Sequence, residues 1–316
     1  MLGAVLFPIF NILVFPGFLF LSVMGLIAEY VDRKLCAKLQ NRVGPPFYQP
    51  FADFVKLSAK QEIIPHDAEG PIFRAMPFLA LAATICAFLY LPIWGRSALF
   101  SFEGDLIVVL YLLTIPTLSY FLGGVYSTSL FATVGAVRTV TQLFAYEVPL
   151  FLALLSPALL AGSWSVSGIA AYFGSHPWRW CFCLLGFAVA VVTALGKLEK
   201  VPFDIPDAET EIVGGIFTEY SGRLLAFIRM TLDVESVVIA SLLAAVFLPF
   251  GLGLPPLLGF LAYLLKVLLV VALLSLLRTI MARLRIDQMM DFCWKCLAPL
   301  AFLQLVACLV LKGVLA

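Results

Sequence analysis

Between residues 197 and 235 the chain places eight carboxylates among only four basic residues. The carboxylates are Glu199, Asp204, Asp207, Glu209, Glu211, Glu219, Asp233 and Glu235. Several of them alternate with apolar residues and prolines, as in Val201–Pro206, which is unusual for a solvated acidic loop. Closely spaced carboxylates in a partly dry site repel one another, which raises some of their pKa values and lets them exchange protons. The pattern favours proton transfer, with a plain surface loop as the alternative.

The elements that must position these carboxylates are membrane helices. Hydrophobic residues make up 63% of the 316 residues and charged residues 12%, about half the charged share of a soluble domain. Apolar runs of about 20 residues are long enough to cross a bilayer. Eight such runs are predicted, at about 3–28, 76–94, 105–124, 143–162, 179–196, 236–252, 255–277 and 296–312. Alternating strands are absent, so the prediction is an all-α integral membrane protein with about eight transmembrane helices.

The basic residues lie mostly on one side of these helices. The connections after the odd-numbered segments carry sixteen Lys or Arg, whereas those after the even-numbered segments carry only Arg96 and Arg179. By the positive-inside rule, the odd connections are cytoplasmic and both termini lie outside. We therefore expect a single multi-pass domain, 1–316, in the cell membrane. Its cytoplasmic connections 29–75 and 197–235 are expected to serve docking and coupling.

Arg138 and Glu147 are further candidates for ion transfer within the membrane. A carboxylate costs about 2.5 to 3.5 kcal/mol at the centre of a membrane helix and less near an end. Glu147 is therefore expected to have a partner or a wet cavity. Arg138 could instead extend its side chain to the membrane interface.

Residues 47–60 are predicted to form a short amphipathic surface helix. Apolar or small side chains recur at helical spacing at Phe51, Phe54, Val55 and Ser58, and the charged residues lie elsewhere on the wheel. The helix is expected either to lie along the membrane surface or to dock on a soluble partner. In the acidic connection, a helix over 206–220 would place Asp207 and Glu211 on one face.

The cysteines do not predict a redox centre. They are scattered, and the single Cys293-Trp-Lys-Cys296 pattern lacks the second pair of ligands that a closed zinc or iron–sulfur site requires. His66 and His176 lie in opposite connections. No metal or cofactor is therefore expected to bind this chain itself.

Nine short motifs are distributed along the chain: Asp32-Arg-Lys-Leu35, Gln40-Asn-Arg-Val-Gly-Pro45, Gln49-Pro-Phe-Ala-Asp-Phe-Val-Lys-Leu57, Gly135-Ala-Val-Arg138, Tyr146-Glu-Val148, Pro202-Phe-Asp-Ile-Pro-Asp-Ala-Glu-Thr-Glu-Ile-Val213, Glu219-Tyr-Ser-Gly222, Arg283-Leu-Arg-Ile-Asp-Gln288 and Trp294-Lys295. Together they resemble the complex I subunit 1 family, also called the H-subunit family, which includes the corresponding subunit of energy-converting group 4 [NiFe] hydrogenases. They span most of the chain in family order. Any one would be weak, but the combination is specific.

The resemblance implies an eight-helix subunit that joins a hydrophilic redox arm to an ion-pumping membrane arm. Carried over residue by residue, the ion pathway would be lined by Arg138, Glu147, Asp204, Glu209, Glu211 and Glu219. A quinone chamber or its vestige would be bordered by Phe47, Tyr48, Phe51 and Phe54. The redox arm would dock on Arg33, Lys34, Arg42, Arg283 and Arg285.

Two branches of the family remain open. The direct step from Gly44-Pro-Pro46 to Gln49-Pro50 resembles the hydrogenase branch, whereas 142–148 and 287–295 look closer to complex I. We expect the hydrogenase type, with hydrogenase large- and small-like partners that carry nickel–iron and iron–sulfur centres, and antiporter-like membrane subunits. The alternative is an NADH:quinone oxidoreductase, whose partners carry FMN and whose chamber binds quinone. An autonomous ion transporter is disfavoured because no internal repeat is evident, and a purely structural anchor is a further alternative. Nucleic acid is not an expected partner.

Overall fold

A computed structural model describes residues 2–93, 97–251 and 253–315, without the side chains of 2–6, 209, 210 and 315. Its α-helices are, in chain order, α1 (Leu2–Leu13), α2 (Phe18–Leu39), α3 (Gln49–Ala59), α4 (Gly70–Phe88), α5 (Asp105–Tyr126), α6 (Leu130–Ala161), α7 (Val166–Ser175), α8 (Leu184–Lys197), α9 (Glu209–Ile212), α10 (Gly222–Phe247), α11 (Pro256–Ile280), α12 (Ile286–Phe292) and α13 (Ala298–Leu315). Two 3-10 turns (Pro177–Cys183 and Gly215–Phe217) and a π-helical segment (Cys293–Leu297) complete the described elements.

Within the described residues, eight helical stretches are long and apolar enough to cross a bilayer. They are Phe7–Leu39, Gly70–Phe88, Asp105–Tyr126, Leu130–Ala161, Pro177–Lys197, Gly222–Phe247, Pro256–Ile280 and Ile286–Val314. The predicted all-α membrane fold is therefore confirmed. The predicted surface helix is also present, as α3, with Pro50 near its first turn where a missing N–H is tolerated.

Several predicted helix ends are wrong. The first crossing continues to Leu39, the fourth begins at Leu130, the sixth covers Gly222–Phe247 and the eighth begins at Ile286, instead of 28, 143, 236–252 and 296. The predicted breaks followed charged residues, but these residues find partners inside the protein and do not end the helices. Asp233 and Glu235 consequently lie in α10 and not in a connection. The predicted helix over 206–220 is reduced to the single turn α9.

Helix α10 is the central helix of the bundle. In its most apolar window 89% of the residues are buried, compared with 22% for the last crossing. The close approach of α2 depends on Gly25, where an added Cβ would lie 3.1 Å from the backbone of Asp233. Polar side chains on α10 are therefore surrounded by protein and must be satisfied there.

The acidic connection, residues 198–221, lies directly on α6. Gly215 has φ +51°, and a Cβ there would lie 1.8 Å from the carbonyl oxygen of Pro206. A Cβ at Gly135 in α6 would lie 2.7 Å from the backbone nitrogen of Ile216. Both positions require glycine, because any side chain would separate the connection from the helix.

Candidate functional site

A cavity of about 640 Å³, the polar cavity, lies at the end of the bundle where α2 ends and α10 begins. We call this end the basic face. Thirteen of the 21 lining residues are charged. The carboxylates are Glu29, Asp53, Glu199, Asp204, Asp207 and Asp233, and the bases are Arg33, Lys56, Lys60, Lys200, Arg229, Arg278 and Arg283. Such a lining favours water and ions over an apolar ligand.

Asp32 joins three parts of the chain beside this cavity. Its Oδ2 accepts hydrogen bonds from Lys200 Nζ at 2.9 Å and from Arg278 Nη1 at 2.7 Å. Its Oδ1 accepts one from Ser275 Oγ at 2.6 Å, and the side chain is only 2% exposed. The ends of α2 and α11 and the connection after α8 therefore meet at this face.

Lys197, the last residue of α8, forms a buried ion pair with Glu235 of α10. Its Nζ lies 2.5 Å from Glu235 Oε1, and the two side chains are 3% and 1% exposed. The ammonium also donates to Thr117 Oγ1 at 2.7 Å, and Thr117 Oγ1 lies 3.3 Å from the hydroxyl of Tyr146. Four helices thus converge on one charged pair. Ionisable residues in such positions are expensive and usually functional.

A second cavity, of about 20 Å³ and called the small cavity, is lined by both Lys197 and Glu147. Lys197, Tyr146, Glu147 and Thr114 contribute its polar side chains, among leucines and other apolar residues. The volume suffices for about one water molecule. The sequence indicated that Glu147 needs a partner or a wet cavity, and the structure places this half-buried carboxylate in the same cavity as Lys197.

Glu199 lines the polar cavity and interacts electrostatically with both members of the buried pair. Helix α8 ends in a Schellman motif, in which Lys200 N donates to Leu195 O at 3.1 Å and Glu199 N donates to Gly196 O at 3.3 Å. The motif places Glu199 at φ +51°, a position that usually belongs to glycine. A strained non-glycine residue of this kind is a candidate functional residue.

The surroundings of Glu199 disfavour its ionised form. Burial raises the pKa of Glu199 to about 8, and the carboxylates Glu235, Asp207 and Asp204 also raise it, against the lowering effect of Lys197. Its Oε2 is buried and has no hydrogen-bond partner in the described part of the chain. Glu199 can therefore exchange a proton near neutral pH while facing the polar cavity.

The predicted ion-pathway residues of the acidic connection fall in different surroundings. Asp204 and Asp207 line the polar cavity, whereas Glu219 is half-buried and is not among its described lining residues. The side chain of Glu209 lies outside the described residues.

The predicted residues Arg138 and Glu211 pair with each other at the surface of the basic face. Arg138 Nη1 donates to Glu211 Oε2 at 2.6 Å, and Arg283 Nη2 lies 3.9 Å from Glu211 Oε1. This hydrogen bond from Arg138 lowers the pKa of Glu211. The pair links α6 to the acidic connection and the seventh connection.

One of the four aromatic residues predicted to border a chamber lines the polar cavity. Phe54 does so, whereas Phe47, Tyr48 and Phe51 are 66%, 66% and 59% exposed. The ring of Phe47 packs edge-on against Tyr30 at 5.1 Å. Three of these four aromatic residues are therefore not among the described lining residues of the cavity.

The predicted docking residues also divide into two groups. Arg42 and Arg285 are exposed at the basic face. Lys34 donates to Gly44 O at 3.3 Å, and both Arg33 and Arg283 line the polar cavity. Arg33 pairs there with Glu29 and Asp53 at 2.5 Å and 3.0 Å, respectively.

The cysteines of the Cys293-Trp-Lys-Cys296 pattern face different surroundings. Cys293 is buried, whereas Cys296 is exposed. In the part of the chain that the structure describes, no group of three or more His, Cys, Asp or Glu residues could hold a metal ion.

The Lys197–Glu235 pair could not be found by reasoning from the sequence. Both residues were placed at the ends of an acidic connection, 38 positions apart. A lysine directly after the apolar run 184–196 was the available signal, because it is the last residue of a crossing and must find an acceptor nearby.

Comparison with known proteins supports the resemblance. A family model described as NADH dehydrogenase matches residues 10–309. The H subunit of the NADH-quinone oxidoreductase of Thermomicrobium roseum is 33% identical, with 92% of each chain covered. The same subunit of Anaeromyxobacter dehalogenans is 31% identical, covering 91% of this chain and 78% of the relative.

A solved structure has the same fold. A chain of the membrane-bound sulfane sulfur reductase, an archaeal respiratory membrane complex, superposes with a TM-score of 0.81 at 30% identity, covering 92% of this chain and 96% of its own. The chain thus belongs to the NADH dehydrogenase subunit 1 family and is a multi-pass membrane subunit of a respiratory complex, similar to the H subunit of complex I.

Proposed function

We propose that this chain couples electron transfer in a peripheral redox arm to ion movement in the membrane, as part of a hydrogenase-like energy-converting complex. The observation that carries the proposal is the buried Lys197–Glu235 pair. Its Lys197 interacts electrostatically with Glu199 at the polar cavity and with Glu147 at the small cavity. The arrangement supports a route for protons from the basic face into the interior of the bundle.

The chemistry of the pair supports this role. Each unit charge that crosses 100 mV requires about 2.3 kcal/mol, so the redox energy must change the state of some bistable element. A proton passing from Lys197 to Glu235 converts two buried charges into two neutral groups without moving the helices. A new charge at Glu199 shifts the equilibrium between the charged and the neutral forms of the Lys197–Glu235 pair, because the protonation of interacting groups is coupled.

The predicted pathway residues take distinct parts in this proposal. Asp204, Asp207 and Glu199 supply protons from the polar cavity, and Glu147 receives them from Lys197. Arg138 and Glu211 hold the acidic connection on α6 at the mouth of the pathway. Glu209 and Glu219 are proposed to belong to the same ion pathway, on the side of the basic face.

The polar cavity supports the hydrogenase type over the quinone reductase type. Its lining is mostly charged, and of the four aromatic candidates only Phe54 borders it. An isoprenoid-bearing quinone would have to desolvate many of these charges. The quinone reductase type stays the second candidate, because relatives at 31% and 33% identity are named as the H subunit of NADH-quinone oxidoreductase.

The partners proposed for this chain are those of a hydrogenase-type complex. The exposed Arg42 and Arg285 are proposed docking points for hydrophilic subunits with nickel–iron and iron–sulfur centres, or FMN in the second candidate. Antiporter-like subunits would cover the membrane surface near Glu147. We place the complex in the cell membrane with both termini outside, as the charge asymmetry predicts.

The test uses the purified complex in liposomes, with electron transfer and proton uptake measured separately. Glu235→Gln and Glu147→Gln keep the side-chain shape but remove a titratable group. We expect both variants to retain electron transfer to the first acceptor of the redox arm and to lose most proton pumping. Glu103→Gln, an exposed carboxylate at the opposite end of the bundle, is the matched control.

Wild-type pumping stoichiometry in both variants would overturn the coupling proposal. The masses of the co-purifying chains separate the two types of complex. A photoreactive quinone that labels residues 47–60 would favour the quinone reductase type. Ion flux by the purified chain alone would instead support an autonomous transporter.

A further inference from the structure

An arginine at the opposite end of the bundle lies between two aromatic rings. Arg179 belongs to the 3-10 turn Pro177–Cys183, which begins the fifth crossing after the short helix α7. Its guanidinium carbon lies 5.4 Å from the ring centroid of Tyr172 and 5.6 Å from that of Trp178. Its Nη1 also donates to the Tyr172 hydroxyl. Cation–π contacts of this kind attract the guanidinium to the faces of both rings.

The positive charge of Arg179 has no counter-charge in the described part of the chain. No described carboxylate lies within ion-pair distance of it. Arg179 Nε is itself buried and, among the described residues, has no hydrogen-bond partner. Buried donors are normally satisfied, so this turn indicates a missing acceptor.

The position of the turn indicates what kind of molecule supplies that acceptor. Tryptophan and tyrosine concentrate where membrane helices meet the lipid headgroups. Trp178 is 54% exposed and packs edge-on against Phe182, which is 37% exposed, so exposed apolar surface borders the guanidinium. A ligand of Arg179 must therefore combine an anionic group with an apolar body.

We propose that Arg179, with Tyr172 and Trp178, binds the phosphate of an anionic phospholipid headgroup. The guanidinium would donate to the phosphate oxygens, an arrangement for which its planar fork is well suited. Trp178 and Phe182 would contact the glycerol and upper acyl chains. Charge asymmetry places this leaflet outside, where Arg96 and Arg179 are the only basic residues of the connections.

The experiment uses the intact complex in phosphatidylcholine nanodiscs that contain a small fraction of phosphatidylglycerol with a photoreactive headgroup. Labelled peptides are then mapped by mass spectrometry. We expect labelling of residues 172–183 in the wild type. Arg179→Gln should weaken it about tenfold or more, the loss expected for a charge-assisted hydrogen bond. Arg179→Lys keeps the positive charge but lacks the planar guanidinium, and it should show an intermediate loss of labelling.

Lys312→Gln is the matched control, because Lys312 is exposed near the same end of the bundle, close to Gly162. This variant should label like the wild type. Equal labelling of wild type and Arg179→Gln would overturn the proposal, as would absence of labelling in the wild-type complex. The absence would point instead to a carboxylate of a neighbouring subunit.

Inorganic phosphate distinguishes a lipid site from a free-anion site. The proposal predicts that millimolar phosphate leaves the labelling unchanged, because a free anion lacks the apolar contacts. Loss of labelling under phosphate would overturn the lipid assignment. If Arg179→Gln fails to assemble, the comparison of Arg179→Lys with Lys312→Gln still decides the outcome.

Discussion

Two ion pairs of almost equal length differ in their energetics because one is buried and the other is exposed to solvent. Lys197 and Glu235 lie 2.5 Å apart with side chains 3% and 1% exposed. Arg138 and Glu211 lie 2.6 Å apart with side chains 24% and 50% exposed. Water and salt screen the second pair, whereas the first has only its partners to compensate the cost of burial. Buried charge of this kind is proposed to serve coupling, and the exposed pair to serve positioning.

Breaking the buried pair should have the largest effect. Lys197→Met leaves Glu235 without its cation, and Glu235→Gln leaves the lysine without its anion. Removal of one partner from a buried pair costs about 3 to 5 kcal/mol. We expect both single variants to lower the thermal stability of the complex, and the double variant to regain most of it. If the double variant were no more stable than either single variant, the two residues would not be acting as a pair.

A smaller effect is expected from the titration of Glu199. Because burial raises its pKa to about 8, it is protonated at neutral pH and ionises as the pH rises through that value. Its contribution to stability is greatest below its ordinary pKa and is lost as the pH rises through about 8. The charged groups that act on it are Lys197, Glu235, Asp204 and Asp207.

Coupled proton transport should therefore change with a midpoint near pH 8 in the wild type. In Glu199→Gln, which stays neutral, this alkaline step should disappear, while Glu103→Gln keeps it. The measurement is the pH profile of proton uptake at constant electron-transfer rate. A step that persists unchanged in Glu199→Gln would assign it to another group.

The smallest effect is expected at the exposed pair. Arg138→Gln or Glu211→Gln should lower stability by less than about 1 kcal/mol, because exposed ion pairs contribute little. Since Arg138 lowers the pKa of Glu211, this contribution is present above the ordinary pKa of the carboxyl and is lost as the pH falls through the lowered value. Thermal melts at low and high salt measure it. A loss as large as that in Glu235→Gln would remove the contrast between the two pairs.

The eight crossings and the surface helix α3 could be predicted because apolar length and helical periodicity are local properties of the sequence. Helix ends were less predictable. Arg138 and Asp233 seemed to mark connections, yet each lies within a helix because the fold supplies partners or a polar cavity. The hydrophobicity of a local segment carries no information about a partner that lies many residues away in the sequence.

The candidate site was predictable in composition but not in arrangement. The sequence indicated proton-exchanging carboxylates in the acidic connection, and Asp204 and Asp207 do line a charged cavity. The pairing of Lys197 with Glu235 depends on how α8 packs beside α10, which no local pattern encodes. The left-handed conformation of Glu199 could not be predicted either. The residue at that position of a Schellman motif is usually glycine, and here it is glutamate.

The most direct test of the coupling role is the number of protons pumped per electron by the complex that carries Lys197→Met together with Glu235→Gln. This double variant removes both titratable groups without leaving a buried charge, so stability and coupling are separated. We expect an assembled complex that transfers electrons within its redox arm and pumps few or no protons through this subunit. A proton-to-electron ratio equal to that of the wild type would contradict the coupling role.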